Sequence, residues 1–197
     1  MTTGAIWTGT IIIYAVFWSW YVGFGNKISP ELTERALVAV KKVNPTDKEF
    51  QSFKNFFESD DGKEFVMYNA IHLAQPMQES AKKLQAYGNA YLGDLLKKAG
   101  HPIFAGMALE SNLDALNVEH ADDWTVGTLV RYRNRTDFAE MVIKFAASPE
   151  HNLKLESAVK TFAFPSSPTL MLGDVKILFA LGIALIATIL QLAIRTG

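Results

Sequence analysis

The feature that most constrains this chain is a run of twenty residues without a charge, at positions 5–24. An α-helix rises 1.5 Å per residue, so a helix of this length spans roughly 30 Å, the hydrocarbon thickness of a bilayer. A signal peptide is the alternative, but the basic stretch that begins such peptides is missing and no small-residue cleavage site follows. Trp7, Trp18 and Trp20 suit the membrane interface. We therefore expect a retained transmembrane helix within residues 1–25.

A second apolar run occupies positions 177–194, between Lys176 and Arg195, and its only strongly polar residue is Gln191. A buried core helix is the alternative, but a helix of a water-soluble protein has a polar face, which this run lacks. We expect residues 167–197 to form a linker and a second transmembrane helix. The chain is then a two-pass integral membrane protein whose first partners are membrane lipids.

Two crossings would place the whole central region on one side of the membrane. Five basic residues near the membrane would lie on that side, against Arg195 on the other: Lys27, Arg35, Lys41, Lys42 and Lys176. Because basic residues favour the cytoplasmic side, we expect a cytoplasmic central domain, and we expect the membrane to be a bacterial inner membrane.

The charge balance and the absence of cysteine exclude several classes of function. Lys and Arg number 19 against 20 Asp and Glu, so the chain has no basic excess for binding nucleic acid. Without cysteine there is no disulfide framework and no thiolate nucleophile. The phosphate-binding loop, the dinucleotide fingerprint and the serine-hydrolase elbow are also missing. We expect neither a cofactor nor a catalytic residue.

Residues 26–62 are predicted to form a helical connector. Ser29 is suited to cap one helix, and Thr46 with Glu49 has the spacing of a capping box that opens another. The second helix carries an aromatic stripe, which we interpret as buried core: Phe50, Phe53, Phe56 and Phe57. Packing onto a partner or the membrane surface is the alternative.

Residues 63–166 are predicted to form one α+β domain. The expected strands cover 64–73, 102–109, 124–133 and 159–164, and the expected helices cover 79–99, the region capped by Thr136 and a short turn from Ser148. Gly100 is expected to end the long helix as a left-handed cap. The order βαββαβ is that of the ferredoxin-like arrangement, a four-stranded antiparallel sheet with helices on one face. The other face would be exposed, so we expect a two-fold homo-oligomer.

The segment VRYRNRTDFAEMV resembles a motif of the small, poorly characterised members of the dimeric α/β-barrel superfamily. In these, an Arg-Tyr-x-Ser-Arg strand end leads into a Phe-x-x-Met helix. Five positions match, with Asn134 for the usual Ser and Arg133 for the usual Pro: Arg131, Tyr132, Arg135, Phe138 and Met141. The resemblance implies a ferredoxin-like fold that dimerises sheet to sheet, here with two added transmembrane helices. Because the superfamily includes monooxygenases, haem enzymes and ligand-binding modules, it implies no single activity.

Histidine is the first residue type to consider for acid-base or metal chemistry. The chain has four: His72, His101, His120 and His151. None has the spacing of a helical zinc site, so no metal site is expected, and surface or strand histidines are the alternative. His151 is kept as a candidate because the resemblance places polar groups of that segment near a cleft.

Four further residues are candidates for binding a ligand. Asn69 lies within the first predicted strand, Arg131 and Arg133 share one face of the third, and Tyr87 lies on the long helix. Enclosed arginines can hold an anion, and the alternative is that both pair with acidic residues nearby. The acidic pairs 60–61 and 122–123 are interpreted as solvated turns.

These features favour a structural role. We expect a membrane-anchored protein that self-associates through its α+β domain and its transmembrane helices, or an accessory subunit of a larger membrane complex. The alternative is a membrane-bound monooxygenase-like enzyme or small-molecule binder that acts on an apolar ligand.

Overall fold

The computed structural model describes residues 2–110, 112–117, 124–171 and 173–196. The chain divides into two compact units, one made of residues 1–24 with 168–197 and the other of residues 25–167. His120 and the acidic pair 122–123 lie outside the described residues.

The first unit pairs the two ends of the chain. Helix α1 covers Thr3–Val22 and helix α7 covers Val175–Thr196, and both are long and apolar enough to span a membrane. The indole Nε1 of Trp7 donates to Oε1 of Gln191 at 2.8 Å, so the polar group of α7 has a partner on α1. The rings of Phe17 and Phe179 stack with centroids 4.1 Å apart.

The second unit begins with two short helices, and both predicted caps are confirmed. Helix α2 covers Pro30–Lys41, and the hydroxyl of Ser29 accepts from the Leu32 amide. Helix α3 covers Asp47–Glu58 and opens with a complete capping box of Thr46 and Glu49. Each cap satisfies amides that a helix start leaves without partners.

A four-stranded antiparallel sheet and three more helices complete the α+β fold. The sheet order is β2-β3-β1-β4, and every neighbouring pair is antiparallel. The remaining elements are β1 (Phe65–Leu73), α4 (Met77–Lys97), β2 (His101–Met107), β3 (Val126–Tyr132), α5 (Arg135–Phe145), α6 (Pro149–Ser157) and β4 (Ala158–Ser166).

The core lies between one face of the sheet and the helices. Phe65 of β1 stacks on Tyr132 of β3 with ring centroids 5.0 Å apart, and Phe138 of α5 meets both edge-on. Ala36 of α2 and Phe57 of α3 belong to the same buried cluster. The aromatic stripe of α3 is therefore mainly core, as predicted, and α2 and α3 belong to the same compact unit as the sheet.

Two predicted helix ends are wrong. Asn134, and not Thr136, caps α5, because its side-chain oxygen accepts from the Asp137 amide at 2.8 Å. The left-handed residue after α4 is Ala99, with φ of 54°, and not Gly100. Gly100 serves another purpose: a Cβ there would lie 2.4 Å from the Leu95 side chain and 3.0 Å from the Arg131 carbonyl oxygen.

The prediction of a solvated acidic pair at 60–61 holds for Asp61, which is exposed, but is wrong for Asp60, which is buried. Its carboxylate accepts from the amides of Ile28 at 2.7 Å and Gly62 at 3.0 Å, and lies 3.5 Å from the Arg135 guanidinium. Gly62 has φ of +74° and lies against the backbone of Gly25, where a Cβ would be 2.2 Å from the carbonyl oxygen. The turn therefore fastens the start of the unit to β1 and α5.

Candidate functional site

The two arginine candidates are occupied by carboxylates of the same unit. Arg131 is fully buried, and its guanidinium donates to Glu64 and to the Ala99 carbonyl, both at 2.6 Å. Arg133 donates to both carboxylate oxygens of Asp137, at 2.7 and 3.0 Å. Both guanidiniums therefore pair with acidic residues, which was the alternative considered from the sequence.

The motif behind the family resemblance is structural in this chain. Tyr132, Phe138 and Met141 are core residues, and Arg131 is buried with its ion pair. Arg135 lies over the Phe56 ring, 4.4 Å from its centroid, and donates to the Phe56 carbonyl. The five matching positions of the motif therefore stabilise the packing of β3 and α5 onto α3.

Asn69 lies near the middle of β1, opposite Thr128 of β3 and Ala163 of β4. It shares the helix-covered face with Phe65, because residues two or four apart along a strand point the same way. Its amide nitrogen donates to the Met67 carbonyl at 3.3 Å. Asn69 is only partly buried, and this hydrogen bond stays within its own strand.

The remaining two candidates, Tyr87 and His151, come together. Tyr87 of α4 and His151 of α6 meet edge-to-face with ring centroids 6.2 Å apart. The Lys154 amine lies over the Tyr87 ring, 6.0 Å from its centroid. Sequence reasoning missed Lys154, although a helix starting at Ser148 places positions 151 and 154 on one face.

Burial sets the electrostatics of this group, which we call the Tyr87 cluster (Tyr87, His151 and Lys154). Loss of solvent raises the pKa of Tyr87 to about 12 and lowers the pKa of Lys154. Loss of solvent, and then the charge of Lys154, lower the pKa of His151. At neutral pH the imidazole is therefore biased towards its neutral form, which can accept and pass on a proton.

Tyr91 extends the same wall of α4 into the core. Its hydroxyl lies 2.8 Å from the Tyr132 hydroxyl, and its ring centroid is 4.9 Å from that of Phe145. Burial raises the pKa of both Tyr91 and Tyr132, so both hydroxyls stay protonated. The hydrogen bond between them satisfies both hydroxyls and helps to fix α4, the helix that carries Tyr87.

The opposite face of the sheet carries a second feature, an exposed row of aromatic rings. Tyr68 of β1 stacks on Phe164 of β4 with centroids 4.9 Å apart and planes 3° from parallel, and Phe162 follows at 6.0 Å. Phe104 of β2 is on the same face, because Leu129 lies opposite both Phe104 and Tyr68. All four aromatic side chains are exposed, by 40 to 56%. We call these four residues the open aromatic face.

An open groove of about 670 Å³ lies between α2 and α3. Leu37, Phe50 and Phe57 give it apolar walls, and Lys41 and Glu58 are among the charged groups around it. The Lys41 amine lies over the Phe50 ring, 5.0 Å from its centroid. The described residues include no group of three or more histidines and acids that could hold a metal ion.

Comparison with known proteins assigns no family. No protein-family model matches the chain, and no curated protein matches it. Two solved structures are similar. The RPA0582 protein of unknown function from Rhodopseudomonas palustris matches at 17% identity with a TM-score of 0.44, covering 66% of this chain and 98% of its own. Methylated RPA0582 matches at 19% identity with a TM-score of 0.46, covering 67% and 97%.

Proposed function

We propose that this chain is a membrane-anchored structural protein that self-associates through the open aromatic face and its two terminal helices. The same surfaces would serve if it is an accessory subunit of a larger membrane complex. The observation that carries the proposal is the open aromatic face itself. Monomeric soluble proteins rarely expose a contiguous apolar patch of this kind unless it is a binding surface.

The dimensions of the face suit a second copy of the chain. Four strands about 4.8 Å apart and seven residues long make a surface of roughly 19 by 23 Å. The flat footprint is therefore roughly 440 Å², about half of the roughly 800 Å² per partner that stable interfaces bury, so the projecting rings and the terminal helices would supply the rest. A two-fold axis through the sheet would cover the same rings on both copies.

The fold we propose is ferredoxin-like, of the dimeric α/β-barrel type. Its support is the sheet order β2-β3-β1-β4, with α4 between β1 and β2 and with α5 and α6 between β3 and β4. The split βαβ arrangement has the same strand order, and in it one face is covered by helices and the other is left for a partner.

We also propose that α1 and α7 cross the bilayer. Their support is length, apolar composition and exposed aliphatic side chains such as Ile11, Val16, Leu181 and Leu185. The Trp7 to Gln191 hydrogen bond satisfies a polar group that lipid could not. The basic residues of the central region support a cytoplasmic domain at a bacterial inner membrane.

Two measurements test this function. Carbonate washing should leave the full chain in the membrane, and mild extraction should give particles whose protein mass is a multiple of 21.9 kDa. A chain released by carbonate, or a monodisperse monomer, would contradict the proposal.

Orientation can be tested with one introduced cysteine, since the chain has none. Lys63→Cys is suitable because the Lys63 side chain is 77% exposed. A membrane-impermeant maleimide should label it only after the inner membrane is opened. Labelling in spheroplasts with an intact membrane would place the domain on the other side.

The alternative, a monooxygenase-like enzyme or a binder of an apolar ligand, has one observation in its favour. Tyr87 and His151, two of the five residues predicted as ligand contacts, meet in one cluster. The enclosed cavity between the sheet and the helices that such a protein would need stays a prediction.

A further inference from the structure

The connection between β2 and β3 is much longer than the fold requires. Met107 and Val126 lie opposite each other at the ends of these antiparallel strands, where a link of roughly two to five residues is usual. This chain places residues 108–125 there, which we call the β2–β3 insertion. Its described residues, 108–110, 112–117 and 124–125, form neither helix nor strand. A connection of this length within a compact unit usually has a function.

Three large apolar side chains of the insertion lie in solvent. Leu109, Leu113 and Leu116 are each at least 81% exposed. Spacings of four and then three residues bring all three onto one face of an α-helix. Segments that dock as helices into the groove of a partner carry their apolar anchors at this spacing. The leucines therefore indicate a docking segment.

The charge of the insertion narrows the choice of partner. It contains neither Lys nor Arg, and its acidic residues are Glu110, Asp114, Glu119, Asp122 and Asp123. The rest of the second unit, within residues 25–167, has 17 basic against 14 acidic residues. Anionic lipid would repel the insertion, whereas the rest of the unit on another copy would attract it. The charges therefore favour a second copy of the chain over the membrane surface.

The groove between α2 and α3 can receive such a segment. It is about 670 Å³ in volume, with apolar walls from Leu37, Phe50 and Phe57, and Val38 in its lining is still 54% exposed. Helix α2 has 12 residues and is roughly 18 Å long, whereas the first and last leucines, seven residues apart, would span about 10 Å of a helix. A third helix laid between α2 and α3 would cover apolar surface on all three helices.

The charged groups of the groove also suit the insertion. Two of its acids are paired within the unit, Asp60 with Arg135 at 3.5 Å and Glu58 with Lys54 at 3.9 Å. The other charged residues of the lining are Lys27, Lys41 and Glu34. Beyond the two pairs the groove therefore has an excess of positive charge, which complements an acidic segment.

The groove of the same copy is badly placed for the insertion. Helix α3 packs at the end of the sheet that holds Phe65, whose ring centroid is 5.0 Å from that of Phe56. The insertion leaves from the other end of the sheet, level with Ile71 and roughly 20 Å along the strand. Leu109 follows Met107 by two residues and can lie only about 7 Å from it. These distances favour the groove of a second copy.

We propose that the β2–β3 insertion of one copy docks as a helix into the α2–α3 groove of a second copy, with Leu109, Leu113 and Leu116 against its apolar walls. The donating and receiving surfaces differ, so the contact is head-to-tail and links copies into a ring or a row. This contact goes beyond the sheet-to-sheet association of the proposed function and does not depend on it.

Cysteine cross-linking of the full chain in its native membrane tests this contact, since the chain has no cysteine of its own. Leu113→Cys and Val38→Cys are placed on two co-expressed copies with different epitope tags, and a short bismaleimide is added. We expect a covalent dimer that carries both tags. Ala86→Cys on the exposed side of α4 replaces Val38→Cys in the control and should give a several-fold lower yield. Equal yields with the two partners, or a product made only of two Leu113→Cys copies, would overturn the proposal.

Charge reversal in the Val38→Cys copy tests the groove itself. Lys41→Glu and Lys48→Glu each reverse one charge on the α2–α3 pair, but only Lys41 lines the groove. Lys41→Glu should lower the yield several-fold and Lys48→Glu should leave it unchanged, with circular dichroism as the check on folding. Equal effects of the two substitutions would overturn the assignment to the groove.

A substitution on the sheet separates this contact from the proposed function. Phe164→Ala, on the open aromatic face, should leave the cross-link between positions 113 and 38 unchanged, because neither position lies on that face. Loss of the cross-link in Phe164→Ala would overturn the independence of the head-to-tail contact.

Discussion

Phe164 is the residue whose removal should most directly weaken the proposed self-association. Its ring lies on the edge strand β4 and stacks on Tyr68 at 4.9 Å and on Phe162 at 6.0 Å, both in the open aromatic face. The side chain is still 47% exposed in a single copy. Phe164→Ala therefore removes surface that a partner would cover, at a modest cost to the folded monomer. Each of the two stacked pairs that the substitution removes contributes about 0.5–1.5 kcal/mol to the folded monomer.

The size of the effect follows from the exposed area. A large aromatic side chain buries roughly 200 Å², so about 90 Å² of Phe164 is left for a partner to cover. At roughly 25 cal/mol per Å² this is about 2 kcal/mol per copy. Because both copies bury this side chain in a two-fold interface, the loss of association free energy is about 4 kcal/mol. The dissociation constant of the dimer should rise by roughly 100- to 1,000-fold.

The assay is energy transfer between two differently labelled populations of the full chain in detergent, measured over a dilution series. Leu96→Ala is the matched control, since Leu96 is 48% exposed but lies on α4, away from the open aromatic face. We expect a large loss of association for Phe164→Ala and almost none for Leu96→Ala. Equal effects of the two substitutions would refute the assignment of the interface to the sheet.

Three further predictions concern the stability of the second unit. Arg131→Ala should lower the free energy of unfolding by about 3–5 kcal/mol in urea titrations, because it leaves Glu64 without its buried partner; a loss below 1 kcal/mol would contradict this. Phe57→Ala should cost about 3–5 kcal/mol in the same single transition, and an unchanged midpoint would mean that α3 is not part of the core. Hydrogen bonds from Thr46 lower the pKa of Glu49, so its stabilisation is present above pH 4.5 and lost as the pH falls. The difference in thermal midpoint between the chain and Glu49→Gln should therefore vanish in acid, and a pH-independent difference would contradict this.

The local signals of the sequence predicted helix starts well where the cap is a side chain. Ser29 and the Thr46 to Glu49 box lie where predicted, because their hydrogen bonds need only residues three apart. Asn134 was missed as a cap because the predicted strand ran to residue 133, and Thr136, two residues later, was predicted as the cap. The choice between them depends on where β3 ends, which is set by pairing with β1.

The candidate site was predictable only in part. Tyr87 and His151 were both candidates from sequence, but their meeting depends on how α6 packs against α4, which spacing along the chain does not reveal. Lys154 was overlooked because an isolated lysine in a helix usually points to solvent. Arg131 was predicted as a ligand contact, but its true partners could not be predicted, because Glu64 and Ala99 are 67 and 32 residues away along the chain.

Cysteine cross-linking in the native membrane tests the central claim most directly. Ala70 lies near the middle of β1, opposite Gly127 and Phe162 on the face of the sheet that carries the open aromatic face, and the chain has no other cysteine. Ala86→Cys on the exposed side of α4 is the control. A short bismaleimide should convert Ala70→Cys to a covalent dimer and leave Ala86→Cys monomeric. Absence of the dimer at position 70, or equal yields at both positions, would contradict self-association through the sheet.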